Sequence, residues 1–391
     1  MKDAVRRDLL ARELAALPDE TRQLLARHHF DEDRFLSLAS DVAGGTLPDS
    51  RVAGEVLPPA EEDVARLPPR GTAEWRALER VGWEALREGT VAMVILAGGM
   101  ATRMGGVVKA LVEALPGCTF LDLRLAELEA VEERTGCRPR LWLMTSHATH
   151  AAIRTALAAR RDARATEAFP QRLSLRLTPD GRLFRDAAGR PGLYAPGHGD
   201  LLDALRDAGL LEDFVRSGGR TVMVTNLDNL GATLDEAILG FHLSTGARLT
   251  SEVVARSDAD RGGLLVRHRG RLTILEELRL PSGLDVSGAP VFNVNTFYFD
   301  AAAMLEVRPR WSYFAVKKKV DGAEVVQFER ILNEIVDWLP TLFLGVPRSG
   351  AESRFLPVKD GAELLANRPA LEAIARARIR GRTDRWSQVV L

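Results

Sequence analysis

Along the 391 residues the apolar positions follow two rhythms. Between residues 1 and 88 they recur at helical spacing, at Leu9, Leu10, Leu14 and Leu17, through Thr21 to His28 and Arg34 to Leu38, and again at Trp75, Leu78, Val81, Gly82 and Leu86. That spacing predicts amphipathic helices, interrupted by a proline-rich loop from Leu57-Pro58-Pro59 to Pro68-Pro69-Arg70-Gly71. From residue 91 the rhythm changes. Val91 to Ala97 is an unbroken apolar run, too short for a buried helix and stopped by Gly98-Gly99, so it reads as a strand buried on both faces. Leu141 to Thr145 and Arg220 to Thr225 read the same way. Phe120 to Arg134, closed by Gly136, and Ala148 to Ala159 read as the helices between them. Such alternation predicts an α/β fold with a doubly wound, mostly parallel sheet, whose ligands bind beyond the carboxyl ends of the strands. Leu249–Ala255, Gly263–Val266, Leu272–Glu277 and Pro290–Phe299 add a strand-rich stretch, and Val326 to Arg330 reads as the start of a helix towards Trp338. The expected units are residues 1–88, helical and accessory; 89–346, carrying the sheet; and 347–391, a short C-terminal α/β region.

Bulk properties narrow the classes. Fifty-three Lys plus Arg against 54 Asp plus Glu give a net charge of −1, which argues against a strongly basic nucleic-acid surface. No apolar run reaches membrane-spanning length, and the charged start Met-Lys-Asp-Ala-Val-Arg-Arg is not followed by an apolar signal core. Cys118 and Cys137 then read as reduced thiols. The expectation is a soluble cytoplasmic protein, a monomer or small homo-oligomer, with no nucleic-acid or membrane partner. His28 and His29 read as surface residues rather than metal ligands.

Candidate chemistry gathers at the expected carboxyl edge. After the first buried strand, Gly98, Gly99, Gly105 and Gly106 allow backbone N–H groups to face an anion, with Arg103 and Lys109 beside them. A tight strand-to-helix turn without a ligand is the plainer alternative. Lysine is scarce in this chain (Lys2, Lys109, Lys317 to Lys319 and Lys359), so a lysine suggests a place wanting a compact ammonium. Gln171 offers the donors and acceptor that match the imide edge of a uracil, or is an ordinary surface glutamine. Pro196-Gly197-His198-Gly199-Asp200 holds an imidazole and backbone N–H groups before a helix, or is a simple N-cap. Asp228 follows a buried strand where one carboxylate would suffice for Mg²⁺, or closes an Asx turn. Asn293 and Asn295 share a strand face suited to sugar hydroxyls, or satisfy a strand edge.

Five segments, in order, resemble the UDP-sugar pyrophosphorylases: Leu96-Ala97-Gly98-Gly99-Met100-Ala101-Thr102-Arg103-Met104-Gly105-Gly106-Val107-Val108-Lys109, Pro196 to Asp200, Val224 to Ala232, Arg261-Gly262-Gly263 with Leu275 to Pro281, and Phe355 to Lys359. The first departs from the usual form: Ala101 stands where glycine is usual, the proline before the lysine is missing, and the loop is one residue shorter. The resemblance implies a Rossmann-like nucleotidyltransferase fold of GT-A type. It implies nucleotide contacts from Leu96, Ala97, Gly98, Gly99, Gln171, Gly197 and Asn226, and sugar-phosphate contacts from His198, Asn293, Asn295 and Thr296. Arg103, Lys109 and Lys317 become the catalytic cations, Asp228 the ligand of Mg²⁺. Many eukaryotic relatives carry a further β-helical C-terminal domain, and the chain ends at Leu391, so oligomerisation through such a domain is not expected.

The reaction so implied joins UTP to a sugar 1-phosphate, giving a UDP-sugar and pyrophosphate. Gly-His-Gly-Asp and Asp-Asn-Leu-Gly-Ala favour glucose 1-phosphate, while Leu143-Met144-Thr145-Ser146 leans towards the N-acetylhexosamine 1-phosphate enzymes. A UDP-sugar-dependent glycosyltransferase and a silent UDP-sugar-binding protein are the other readings.

Overall fold

The computed structural model describes residues 2–378 except 48, 102–104, 258–259 and 285–289. Eight strands form the spine of its main sheet: β1 (Val64–Arg66), β2 (Val91–Leu96), β3 (Arg140–Thr145), β4 (Thr166–Pro170), β5 (Thr221–Asn226), β6 (Leu249–Ala255), β7 (Val291–Asp300) and β8 (Thr341–Gly345). Their order across the sheet is β1-β8-β6-β7-β5-β2-β3-β4. All neighbours run parallel except β7, which is antiparallel to both β5 and β6. The mostly parallel α/β sheet expected from the apolar runs is present.

Why β2 is apolar at every position is clear from its neighbours. Met93 and Ile95 join one core with the helices Ala73–Arg87, Phe120–Thr135 and Glu236–Thr245, while Ala92 and Val94 join a second core with Leu201, Leu205 and Phe214 on the other face. Each such side chain, fully removed from water, contributes about 1.5–3 kcal/mol, so one polar substitution in β2 would weaken both layers. The helix Phe120–Thr135 begins at a capping box of Thr119 and Asp122 and ends at Gly136 in the left-handed conformation, as its stop signal predicts.

A third core has a different composition. Leu10, Leu14, Leu17, Leu25, Phe35 and Leu36 of the N-terminal helices pack against Leu173, Leu175, Leu177, Val326 and Phe328. The expected boundary at residue 88 does not coincide with a structural one. The helical lobe ends at Gly44, whereas Val56–Leu57 pairs with Leu264–His268, β1 lies at the sheet edge beside β8, and the helix Ala73–Arg87 belongs to the central core. The proline-rich stretch hid these short strands, because edge strands tolerate proline nearby. Residues after 346 also join the central core through Val358, Leu364 and Leu371. Among the described residues there they form one helix, Gly361–Arg378, and no strand.

The helix expected from Val326 is a strand. Phe314–Val320 and Ala323–Glu329 form an antiparallel hairpin around Asp321-Gly322, both with positive φ. Asp-Gly between two runs that carry valines, Val316 and Val320 before it and Val325 and Val326 after it, is a strong hairpin signal, and it outweighs the apolar spacing that suggested a helix. Only Leu332–Asp337 winds, as 3₁₀ turns.

Candidate functional site

At the carboxyl edge the strand ends lie in a row. Register pairs Leu96 with both Asn226 and Met144, and Thr145 with Pro170. The chain therefore presents, side by side, Asn293 and Asn295 from β7, Asn226 and Asp228 from β5, Ala97 to Gly99 from β2, and Gln171 from β4. A cleft of about 530 Å³ opens over the β7 and β5 end, lined by His198, Asn226, Asp228, Glu276, Asn293, Asn295, Asn333 and Lys359 among others.

The centre of the row is an ion pair. Lys109, at the start of a 3₁₀ turn, places Nζ 2.7 Å from Asp228 Oδ2. The loop carrying Asp228 is bolted from two sides. Arg124, itself buried, donates to the carbonyls of Asn226, Asn229 and Ala232 and pairs with Glu127. Asn229 donates to Arg354 O at 3.0 Å and accepts from Leu356 N at 2.9 Å, which ties the loop to the segment bearing Lys359. Two loops distant in sequence are thus held as one rigid edge.

Towards β4, Gln171 is buried and its backbone N–H donates to Thr145 O at 2.7 Å. It is not a surface glutamine. A Cβ on Gly98 would collide with its amide nitrogen, so the side chain lies directly against the glycine backbone. Its Oε1 has no partner among the described residues. His28 of the N-terminal lobe reaches the Gln171 carbonyl through Nδ1 at 3.3 Å.

His198 sits in the loop before helix Leu201–Asp207, where Gly197 has φ +94° and a Cβ on Gly199 would strike the backbone at Arg330. Leu332 N–H donates to His198 Nδ1 at 2.9 Å. Burial pushes the imidazole pKa down to about 4, against a smaller opposing pull from Glu329. His198 is therefore neutral near pH 7, and with Nδ1 accepting, Nε2 carries the proton as the ring's donor in a residue that lines the cleft. Asp200 stands at the N-cap position of that helix, but its side chain makes no capping hydrogen bond: it is buried in an ion pair with Arg330, which also binds Asp203 at 2.7 Å.

At the β7 end, Asn295 has φ +54°, a strained conformation for a strand residue. Its Nδ2 donates to Asn226 Oδ1 at 2.8 Å, while its Oδ1, buried, has no partner among the described residues. An unfilled acceptor facing a cleft invites a donor. Burial raises the Glu276 pKa, opposed by a hydrogen bond from Asn333 and the charge of Arg279.

Other assigned residues fall elsewhere. Thr296 points away from Asn293 and Asn295 and is fully buried, its hydroxyl 3.0 Å from Thr225 Oγ1. Lys317 is exposed on the hairpin with Nζ 3.4 Å from Glu324, and it is not a lining residue of the cleft. Arg103 lies outside the described residues. Lys359, given no role from sequence although it closes a family-like segment in a lysine-poor chain, does line the cleft, as do Glu276 and Asn333. Asn333 had no local signal at all, since it falls in the stretch read as a helix.

For a divalent cation the donor set is one carboxylate, Asp228, beside which phosphate oxygens of a ligand would have to complete the shell. That suits Mg²⁺, which keeps few protein ligands. Among the described residues no cluster of three or more His, Cys, Asp or Glu offers a protein-only metal cage, and no helix is long and apolar enough to cross a membrane.

The fold and the cleft define an α/β protein with its ligand groups gathered at the carboxyl edge of a mostly parallel sheet. The sequence model of the family described as UTP–glucose-1-phosphate uridylyltransferase matches residues 60–389. UTP–glucose-1-phosphate uridylyltransferase from Musa acuminata is 30% identical over 297 residues, covering 70% of this chain and 62% of that protein. For the enzyme of the same name from Hordeum vulgare the figures are 30% over 292 residues, 69% and 60%. A variant of UDP-glucose pyrophosphorylase from Leishmania major, solved in complex with UDP-glucose, superimposes with a TM-score of 0.71 at 25% identity over 85% of this chain and 74% of that one. UDP-glucose phosphorylase from Trypanosoma brucei gives 0.72 at 22% identity over 86% and 75%. The chain belongs to the UTP–glucose-1-phosphate uridylyltransferase family. It spans 60–62% of the length of these two curated relatives.

Proposed function

We propose that this protein is a nucleotidyltransferase of GT-A type that makes UDP-glucose and pyrophosphate from UTP and glucose 1-phosphate. The observation that carries the reading is the row itself: the unpartnered Asn295 oxygen and the Glu276 carboxyl at the end of the cleft that Lys359 also lines, the Lys109–Asp228 pair at the centre, and Gln171 against Gly98 at the other end. A sugar phosphate, a triphosphate and a uracil match those three chemistries in that order.

In the reaction, an oxygen of glucose 1-phosphate attacks the α-phosphorus of UTP. The bond from that phosphorus to the β-phosphate bridging oxygen breaks, and pyrophosphate leaves with the electron pair. The nucleophile is already ionised near neutral pH, so alignment and charge neutralisation are the work required. Lys109 and Lys359 supply the neutralising charge. Lys359 takes the role the sequence suggested for Lys317, because Lys359 lines the cleft. His198 donates from Nε2 to a phosphate oxygen, Gln171 reads the uracil edge with its amide, and Asn226 is held by Asn295 towards the nucleotide. Mg²⁺, held by Asp228 and phosphate oxygens, would add Lewis-acid neutralisation of the triphosphate.

The test is pyrophosphate release from the purified protein with UTP and Mg²⁺, comparing glucose 1-phosphate, galactose 1-phosphate and N-acetylglucosamine 1-phosphate. Release with glucose 1-phosphate is the expected result. Release only with the N-acetylated sugar would favour the second reading, for which Leu143-Met144-Thr145-Ser146 speaks, and no release with any sugar would overturn both. The unpartnered acceptor on Asn295 and the carboxyl of Glu276 favour free hydroxyls as the sugar's contacts.

A further inference from the structure

We propose that Asn333 is a positioning residue for the sugar, setting the hydrogen-bonding polarity of the cleft through Glu276 and Asn293. The inference rests on the transferase reading above. Asn333 is 3% exposed and lines the cleft. Its Nδ2 donates to Glu276 Oε1, and its Oδ1 accepts from Asn293 Nδ2 at 2.9 Å. Asn293 in turn accepts at Oδ1 from the Asn295 backbone N–H at 3.2 Å and from Ser251 Oγ at 3.4 Å.

The chain of amides has one self-consistent direction. The Asn295 backbone N–H can only donate, so Asn293 must turn its oxygen towards it and its nitrogen towards Asn333. Asn333 must then face Asn293 with its oxygen and Glu276 with its nitrogen. Rotating either amide by half a turn would oppose acceptor to acceptor and donor to donor. Among the described residues, what remains for a ligand is the second Nδ2 hydrogen of Asn293, the second Nδ2 hydrogen of Asn333 and the second oxygen of Glu276: donors and an acceptor on the same wall. A sugar hydroxyl, which both gives and takes a hydrogen bond, satisfies a donor and the acceptor together.

The segment bearing Asn333 also serves the phosphate end. Leu332 N–H holds His198 Nδ1, and Arg330 holds the loop through Asp200 and Asp203. Residues 330–333 therefore set the distance between the phosphate donor and these hydroxyl partners.

Steady-state kinetics of Asn333→Ala and Asn333→Asp test this, using the sugar 1-phosphate that the unmodified protein turns over fastest. Asp is isosteric and keeps the acceptor towards Asn293, so it carries the test if the Ala variant does not fold. Both are expected to raise KM for the sugar 1-phosphate about tenfold or more, the worth of a hydrogen bond to a charged group, with KM for UTP unchanged. A second readout separates positioning from mere packing. The charged groups around Glu276 are Arg279 and Glu277, and Arg279 is shared with Glu334 at 3.2 Å. Loss of the Asn333 donor removes a hydrogen bond that favours ionised Glu276. The acid limb of kcat/KM for the sugar 1-phosphate, taken as a ratio to the unmodified protein, should then move to higher pH in Asn333→Ala. An unchanged sugar KM, an equal rise in both KM values, or an acid limb that stays in place would overturn the proposal. Absence of turnover by the unmodified protein is a different failure: it overturns the transferase reading, and this inference with it.

Discussion

Beside the cleft of about 530 Å³ over β5 and β7, the same edge of the sheet carries a larger cavity of about 970 Å³ over the ends of β6, β8 and β1. Arginines crowd its wall. Arg70 pairs with Glu352, Arg134 with Glu236 and Arg354 with Glu252, and Arg378 donates to the carbonyls of Gly231, Ala351 and Ser353. Each of those arginines has a carboxylate or carbonyl partner within the protein, and the one buried unpartnered polar side-chain atom on that wall among the described residues is the Trp75 indole N–H, a donor. In the smaller cleft the acceptor Asn295 Oδ1 has no partner among the described residues, and Asp228, which lines it, holds the Lys109 ammonium. The difference teaches that volume is a poor guide to a site. An unfilled acceptor beside a lysine–carboxylate pair marks where a charged, hydroxyl-bearing ligand belongs.

That contrast can be broken by mutation. Lys109→Ala and Lys359→Ala should each lower kcat for pyrophosphate release about a hundredfold or more, the scale for removing an electrostatic stabiliser. Arg70→Ala and Lys317→Ala should leave kcat unchanged. A comparable loss in Arg70→Ala would move the chemistry to the larger cavity, and one in Lys317→Ala would return that lysine to the site. Gly98→Ala should raise KM for UTP about tenfold by displacing Gln171, a loss equal to roughly one good hydrogen bond, while the sugar KM holds. An unaltered UTP affinity would remove Gln171 from base recognition.

Two smaller effects concern the cost of an unfilled site. His198 is held neutral, with its pKa pushed down by burial to about 4 from an ordinary 6.5. The unfolded chain thus binds more protons between those values, and this contribution to stability is complete above pH 6.5 and lost as pH falls towards 4. His198→Gln should flatten the dependence of Tm on pH across that window; an unaltered curve would mean the imidazole titrates normally. Glu276 is shifted the other way, burial raising its pKa. Its ionised form costs stability at pH 7, and the cost vanishes below the ordinary carboxyl range. Glu276→Gln should therefore raise Tm by about 1–2 °C at pH 7, with no gain in acid, while sugar affinity falls. A lower Tm at pH 7 would show the carboxylate to be stabilising.

Local pattern determined a great deal about this protein. Continuous apolar runs marked the buried parallel strands because both faces of such a strand meet packed helices, and glycine, Asp228 and the Gly197-His198-Gly199 turn were visible because backbone conformation and strand ends restrict residue type locally. The Asp321-Gly322 turn is a local signal as well, but the apolar spacing from Val326 on which the helix was expected fits helix and strand alike over so short a stretch. What only the tertiary structure decided is which distant groups meet. Lys109 and Asp228 are 119 residues apart, Glu276 and Asn333 are 57, and Asn293 and Asn333 are 40. No periodicity encodes such pairs, since each depends on how the sheet orders its strands and on which loop a neighbouring segment supports. The same reason separates the lysines. Lys317 and Lys359 are equally conspicuous in a lysine-poor chain, but the hairpin carries one into solvent and the bolt through Asn229 secures the other's segment over the cleft.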